Sequence, residues 1–285
     1  ELCPSCATVF PVQPKEPVHL MPGTVLLDRY IIGQAIGSGG FGIIYKAWDT
    51  KFETIVALKE YFPKRLVTRA PGTADIIVSQ KARDEYNYRK TRFLAEARTM
   101  AKFGNHKNIP NVFEVFDANG SAYIVMELLE GMALNNYLAQ SEDKKVDISF
   151  ATLIVNEIGK ALISLHNEGI IHRDVAPDNI YICSGETIKI KLLDLGSARL
   201  ADNTDDVIDI ILKPGYSPVE QYDKLQNIGP STDVYALGAT LYYMLTGVKP
   251  DESTNRKIQD TVVAPIELSS DIPENLSNAI MKAMA

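Results

Sequence analysis

His172-Arg173-Asp174-Val175-Ala176-Pro177-Asp178-Asn179, with Asp194-Leu195-Gly196 further along, is the stretch on which the reading of this 285-residue chain turns. Taken singly, its polar residues say little: Asp174 or Asn179 alone reads as a turn residue or a cap, and Asp194 alone as the end of a strand. Their weight comes from what precedes them. Upstream lies Gly37-Ser38-Gly39-Gly40-Phe41-Gly42, where missing side chains let backbone N–H groups come close to phosphate oxygens. A dinucleotide-binding unit needs a helix directly after such glycines, but Ile43-Ile44-Tyr45-Lys46-Ala47-Trp48 is β-branched and aromatic and predicts a strand. Strand, glycine turn and strand make a hairpin that covers phosphate, with an ordinary Gly-rich hairpin as the alternative. Val56-Ala57-Leu58-Lys59 ends an apolar strand on a lysine able to reach nucleotide phosphates; a solvated lysine is the plainer reading. Farther on, Phe93, Ala97, Met100 and Ala101 form one apolar helical face with Glu96 among them. A carboxylate there is costly unless paired, so an ion pair between Lys59 and Glu96 accounts for both residues.

The order of these motifs resembles the protein kinase family, with the Asp174 segment as catalytic loop and Asp194-Leu195-Gly196 as metal-binding motif. The likeness covers Gly23 to Ala285 and is nearest to bacterial eukaryotic-type (Hanks-type) serine/threonine kinases, as in Lys59-Glu60-Tyr61-Phe62-Pro63. It implies an α+β, bilobal fold. Residues 1–22 would be a tail and linker, 23–130 a small β-rich lobe with one main helix, and 131–285 a larger, mainly helical lobe that stops short of the family's end. The periodicity agrees: strand-like runs at Tyr30-Ile31-Ile32, Gly42 to Trp48 and Thr54 to Lys59, then a helix from near Asp84. Beyond Gly131 the pattern is helical over Ala151 to Glu168 and Asp233 to Leu245, with short strands around Tyr181 and Leu192.

The resemblance further implies an enzyme that moves the γ-phosphate of ATP, with Mg²⁺ or Mn²⁺, to a protein hydroxyl. Asp174 would accept and orient the hydroxyl, Asn179 and Asp194 would hold the metal with oxygen ligands, and Lys59, fixed by Glu96, would hold phosphates. Gly37, Gly39 and Gly42 would cover the phosphates. Ile36, Ile44, Ala57 and Tyr181 would sandwich the base, with Met126 as gatekeeper and the main chain of Glu127 and Leu129 offered to the adenine edge. Gly215 to Glu220 resembles the end of an activation segment, and Asp233 to Gly238 the buried helix whose Asp braces the catalytic loop.

Composition sets the outer limits. Hydrophobic residues make up 46% and charged residues 23%, ordinary for a globular domain, and no uninterrupted apolar run reaches membrane-spanning length. A net charge of −7 argues against a general binder of nucleic acid backbones. With no signal-peptide pattern at the start, a cytoplasmic location is expected. Of three cysteines, Cys183 lies in an apolar stretch as a buried thiol, while Cys3-Pro4-Ser5-Cys6 has the spacing of one zinc knuckle and binds zinc only if further ligands lie outside this sequence. Pro14, Pro17 and Pro22 suit a linker.

Departures from the family pattern matter as much. Ala176 stands where serine/threonine kinases usually carry a lysine for the γ-phosphate, and Asp178 is not the arginine of tyrosine kinases. Lys213, at a position usually filled by threonine, is the candidate replacement, with a solvent-facing lysine as the alternative. Arg173 fits an activation segment organised by negative charge; Thr204 is the best phosphosite candidate among Ser197, Thr204 and Ser217, and Asp202, Asp205, Asp206 and Asp209 already supply acidity. The late arginine that pairs in the family with the residue at Glu220 is expected beyond Ala285, where this sequence stops. Two functions therefore stand side by side: an active serine/threonine kinase, favoured by Lys59, Glu96, Asp174, Asn179 and Asp194 together, and a nucleotide-binding pseudokinase scaffold, favoured by Ala176.

Overall fold

The computed structural model describes residues 13–40, 42–194, 199–200 (backbone), 212–222 and 228–285. Cys3, Cys6, Leu195, Gly196, Ser197, Thr204 and the acidic residues from Asp202 to Asp209 lie outside the described residues. The chain forms two compact units, one ending at Leu129 and the other holding His106–Ile109 and Glu130–Ala285.

In the smaller unit a six-stranded antiparallel sheet is ordered β1 (Val25–Leu26), β2 (Tyr30–Ser38), β3 (Gly42–Asp49), β4 (Thr54–Tyr61), β8 (Ser121–Met126), β7 (Val112–Ala118). A small ribbon, β5 (Val67–Thr68) with β6 (Ile77–Val78), leads into the helix α1 (Arg83–Ala101). Alternation along β3 buries Ile43, Tyr45 and Ala47, each second residue, as a sheet with one covered face requires. Tyr61 fills the layer beneath α1, its ring 5.2 Å from that of Tyr86 and 5.3 Å from that of Phe93. Fully burying an aliphatic or aromatic side chain of this kind contributes about 1.5–3 kcal/mol. Phe93, Ala97 and Met100 of α1 are buried as their spacing predicts, but Ala101 is exposed: it ends the helix, where the stripe has left the sheet.

A second correction concerns the segment before Gly23. Val18 packs against the core, and His19 and Leu20 are buried within it rather than serving as linker. The Leu20 N–H donates to Tyr45 Oη (3.0 Å), and the Val18 carbonyl accepts from Arg69 Nη1 (2.7 Å). Arg69 also pairs with Glu60, both wholly buried, and donates through Nε to the Ala74 carbonyl (3.0 Å). Tyr45 and Tyr123 complete the network by donating to Glu60 at 3.0 and 2.8 Å. Burial, reinforced by the Glu60 charge, pushes both phenol pKa values up and keeps them donors.

The larger unit begins with β9 (Gly131–Ala133), α2 (Leu134–Leu138) and α3 (Ile148–Asn167), continues through β10 (Ile170–Ile171), β11 (Ile180–Cys183), β12 (Lys189–Leu192) and β13 (Arg199–Leu200), and ends with α4 (Pro230–Thr246), α5 (Ser253–Ile258), α6 (Pro265–Leu268) and α7 (Glu274–Ala283). Asp147 caps α3 by accepting from the Phe150 N–H (2.9 Å), and Ala151, Ile154, Ile158, Ala161, Leu162 and Leu165 give it a buried stripe at helical spacing. By length and composition α3 is apolar enough to cross a membrane, which reading uninterrupted runs had not shown. Here that stripe packs on α4, β10 and β12, while Glu157 and Lys160 pair with each other on the same helix. α4 stops at Gly247 (φ 70°), whose N–H closes on the Tyr243 carbonyl; a Cβ there would sit 2.3 Å from the Asp143 carbonyl oxygen.

Candidate active site

In the smaller unit the glycine segment is the tip of the β2–β3 hairpin: Gly37 pairs with Ile44, Ser38 with Ile43, and the Gly39 N–H donates to the Gly42 carbonyl (2.9 Å). The glycines answer different demands. A Cβ at Gly42 would meet the Glu60 carbonyl oxygen at 2.4 Å, so strand packing alone requires glycine there. At Gly39 and Gly40 a Cβ would meet nothing within 4 Å among the described residues, so no neighbour among them requires glycine there.

On β4, Lys59 lies opposite Ile44 and Ile124, and Ala57 opposite Lys46 and Met126, which sets Ile44, Ala57 and Lys59 on one face. Lys59 Nζ is 3.9 Å from Glu96 Oε1, with both side chains largely shielded. The expected pair is therefore present but loose, with Nζ also 5.8 Å from the centre of the Phe93 ring. Ile36 is half exposed, as are Trp48, Ile55 and Phe113 of the same sheet. At Glu127 the expectation needs correcting in part: the backbone N–H is already donated to the Asn111 carbonyl (2.9 Å), and the carboxylate accepts from the Asn111 N–H (3.2 Å).

In the larger unit the loop from His172 to Asn179 is held from below by Asp233, which is completely buried on α4. Its Oδ2 accepts from the His172 N–H (2.9 Å) and its Oδ1 from the Arg173 N–H (2.7 Å), while the His166 ring lies 2.7 Å from Oδ2. The His172 ring ties the loop to the end of β12. Its Nδ1 accepts from the Asp174 N–H (3.2 Å), so Nε2 carries the proton and donates to the Leu193 carbonyl (3.1 Å). Gln221 Nε2 donates to the Arg173 carbonyl (2.8 Å), the Leu193 N–H to the Asn179 carbonyl (2.7 Å), and the Asn135 N–H to the Pro177 carbonyl (3.1 Å). Arg173 at φ 67° and Asp194 at φ 57° occupy the left-handed region that non-glycine residues avoid. Strain of this kind, on the order of 1–3 kcal/mol per residue, persists where surrounding bonds over-determine it and gathers at functional sites.

The network presents one carboxylate. Asp174 Oδ2 accepts from Asn179 Nδ2 (2.7 Å), the same nitrogen that bonds the Asp174 carbonyl (2.8 Å), and Oδ1 lies 2.8 Å from Lys213 Nζ. Burial raises the Asp174 pKa above the usual carboxylate range, and the Lys213 charge opposes that rise. Asn179 thus bonds through its nitrogen, which leaves its Oδ1 as the oxygen donor, and Asp194 follows β12 with an exposed carboxylate; hard oxygen donors of this type would suit Mg²⁺ or Mn²⁺. Tyr181 stands on β11 opposite Ala133 and Lys191, with its phenol pKa raised by burial. Glu220 accepts from Thr232 Oγ1 (2.8 Å). The sequence had not pointed to Gln221 or Asn135, because a side-chain amide on a carbonyl and a lone backbone bond leave no motif.

A β-rich unit with a lysine facing a helix glutamate, and a helical unit carrying a braced Asp and Asn loop, match the protein kinase domain model over residues 30–284. The chain belongs to the protein kinase family. This kinase domain is 31% identical over 270 residues to a probable serine/threonine-protein kinase of Clostridium acetobutylicum, covering 93% of this chain and 38% of that protein. It is 31% identical over 273 residues to the serine/threonine-protein kinase PknB of Mycobacterium leprae, covering 91% and 40%. The kinase domain therefore spans about two-fifths of the length of the curated relatives it matches. Among solved structures, the apo form of PpkA-294 superposes with a TM-score of 0.81 at 34% identity, covering 94% of this chain and 93% of that one. The kinase domain of PknI from Mycobacterium tuberculosis, at 20% identity and a TM-score of 0.68, shares the fold.

Proposed function

We propose that this domain catalyses transfer of the γ-phosphate of ATP to serine or threonine hydroxyls of proteins. The observation that carries the reading is the state of Asp174: a shielded carboxylate with one oxygen fixed by Asn179, on a loop braced at two backbone N–H groups by a buried Asp233. Phosphoryl transfer passes through a loose transition state and asks mainly for position and neutralised charge. Asp174 orients the acceptor hydroxyl and takes its proton; Lys59, held by Glu96, grips the phosphates; Gly37, Gly39 and Gly42 let backbone approach them. Asn179 and Asp194 would hold Mg²⁺ or Mn²⁺, which when bound neutralises phosphate charge. Ile36, Ile44, Ala57 and Tyr181 contribute apolar surface for the base, with Glu127 and Leu129 offering main-chain groups other than the Glu127 N–H. Lys213 supplies the cation that Ala176, uncharged and fully buried, does not. ATP as phosphate donor puts the site on the cytoplasmic side.

The test is transfer from γ-labelled ATP with Mg²⁺, to the protein itself and to a generic protein acceptor, for the parent and for Asp174→Asn. Loss of about 10²-fold or more in the variant is expected, within the usual range for removing a positioned acid–base group. Nucleotide binding with no Asp174-dependent transfer would overturn the proposal in favour of a nucleotide-binding scaffold.

A further inference from the structure

Lys213 reaches the catalytic loop from a segment that is itself fixed. Its N–H donates to Ser217 Oγ (2.9 Å), and its carbonyl accepts from the N–H groups of Tyr216 and Ser217 (both 2.9 Å). Gly215 at φ 86° makes the turn, and Ser253 Oγ anchors it by donating to the Ser217 carbonyl (2.8 Å). The freedom left is in the four-carbon stem of the lysine, and two carboxylates of one loop restrict it. The ammonium lies 2.8 Å from Asp174 Oδ1 and 2.9 Å from Asp178 Oδ1. Asp178 has no part in the machinery described so far. Its side chain is 50% exposed, and a lone pair at such a surface adds little to stability. Its effect lies in where it keeps the Lys213 charge.

We propose that Asp178 is a positioning residue for Lys213, holding the ammonium beside the reacting atoms once the acceptor hydroxyl has taken its place at Asp174. The inference rests on the reading of Asp174 as base and Lys213 as cation. Before the acceptor arrives, Lys213 occupies Asp174 Oδ1. When the hydroxyl hydrogen-bonds to that oxygen, the ammonium keeps one N–H on Asp178 and has two more to turn toward the transferring phosphoryl oxygens. The acceptor oxygen then bonds to the γ-phosphorus as the bond to the β-phosphate oxygen breaks. The electron pair leaves with ADP, and the hydroxyl proton passes to Asp174. Without Asp178 the lysine stem is free to carry its charge into water.

The experiment is a double-mutant cycle on the full chain with Asp178→Asn, Lys213→Met and the pair combined. Three quantities are read for each protein: kcat for transfer from γ-labelled ATP, affinity for a fluorescent ATP analogue, and the thermal midpoint. Removing one charge-stabilising donor costs about 10²-fold in kcat, expected for Lys213→Met. Loss of its positioning partner should cost roughly tenfold in Asp178→Asn, with analogue affinity and thermal midpoint held. In the Lys213→Met background the same Asp178→Asn change should cost less than about twofold, because it no longer has a cation to place. Independent, multiplying losses, or parental kcat in Asp178→Asn, would overturn the inference while Asp174→Asn still abolishes transfer. If Asp174→Asn leaves transfer intact, the underlying reading falls first.

Discussion

Replacing Asp233 by Asn tests whether the catalytic loop depends on its brace. In the parent, two separate carboxylate oxygens each accept from a buried backbone N–H, of His172 and of Arg173. Asparagine has one oxygen, so in either orientation its NH₂ faces one of those donors. Leaving a buried N–H unpaired costs about 1–3 kcal/mol, and the surviving bond, no longer charge-assisted, weakens by about 1 kcal/mol. The His166 ring, 2.7 Å from Oδ2, could accept from the new amide and return part of the loss, which fixes the lower end. A destabilisation of about 2–4 kcal/mol follows, or roughly 5–15 °C in the thermal midpoint for a domain of this size. Because His172 and Arg173 lead directly into Asp174, a shift on the order of 1 Å in the loop also costs up to about 10²-fold in transfer rate. Thermal denaturation by circular dichroism and initial rates below both midpoints measure the two effects. A variant melting within about 1 °C of the parent, with unchanged kcat, would refute the claim that these bonds hold the loop.

Arg69→Met should cost about 3–5 kcal/mol in urea denaturation, because it strands Glu60 inside the smaller unit, and Glu60→Leu added to it should recover part of that loss. Lys160, Asn108 and Lys107 hold the Glu157 pKa down to about 2; the stability this brings is full above the ordinary glutamate range and disappears as pH falls from about 5 toward 2, so Glu157→Gln should flatten the acid limb of a stability profile. Asp174 must be ionised to accept a proton, and the groups facing it are Lys213, His172 and Asn179; Lys213→Met removes the charge that opposes its raised pKa, so the acid limb of kcat should move to higher pH. Gly39→Ala should leave the thermal midpoint unchanged and weaken binding of an ATP analogue, whereas Gly42→Ala, driving a methyl into the Glu60 carbonyl, should lower the midpoint by several degrees.

What the sequence made legible were the features that repeat at short range. The β-branched run after the glycines marked a hairpin instead of a helix, and the strand of Val56 to Lys59 and the stripe of Phe93, Ala97 and Met100 followed from periods of two and of three to four residues. Asp174, Asn179 and Asp233 were likewise readable, by motif. Contacts joining distant positions were not. Family position named Lys213 as the candidate cation, but its second hold, on Asp178, appears only with the turn at 213–217 in place. No motif marks the role of Glu60 beside Lys59; strand alternation turns it to the opposite, buried face, where Arg69 and two tyrosines make it tolerable. Ala101 shows the reverse error, an apolar residue in the right phase at the wrong end of its helix.

The backbone of Val18 and Leu20 has a practical meaning for anyone choosing where this domain starts. The family match begins at Tyr30, and a protein trimmed to that residue would keep every motif of the proposed chemistry. It would lack the carbonyl that receives Arg69 and the N–H that meets Tyr45, both inside the smaller unit. The family match therefore begins inside the packed core of the smaller unit, and removal of Val18 to Leu20 would be felt at Arg69 and through it at Glu60, one residue from Lys59.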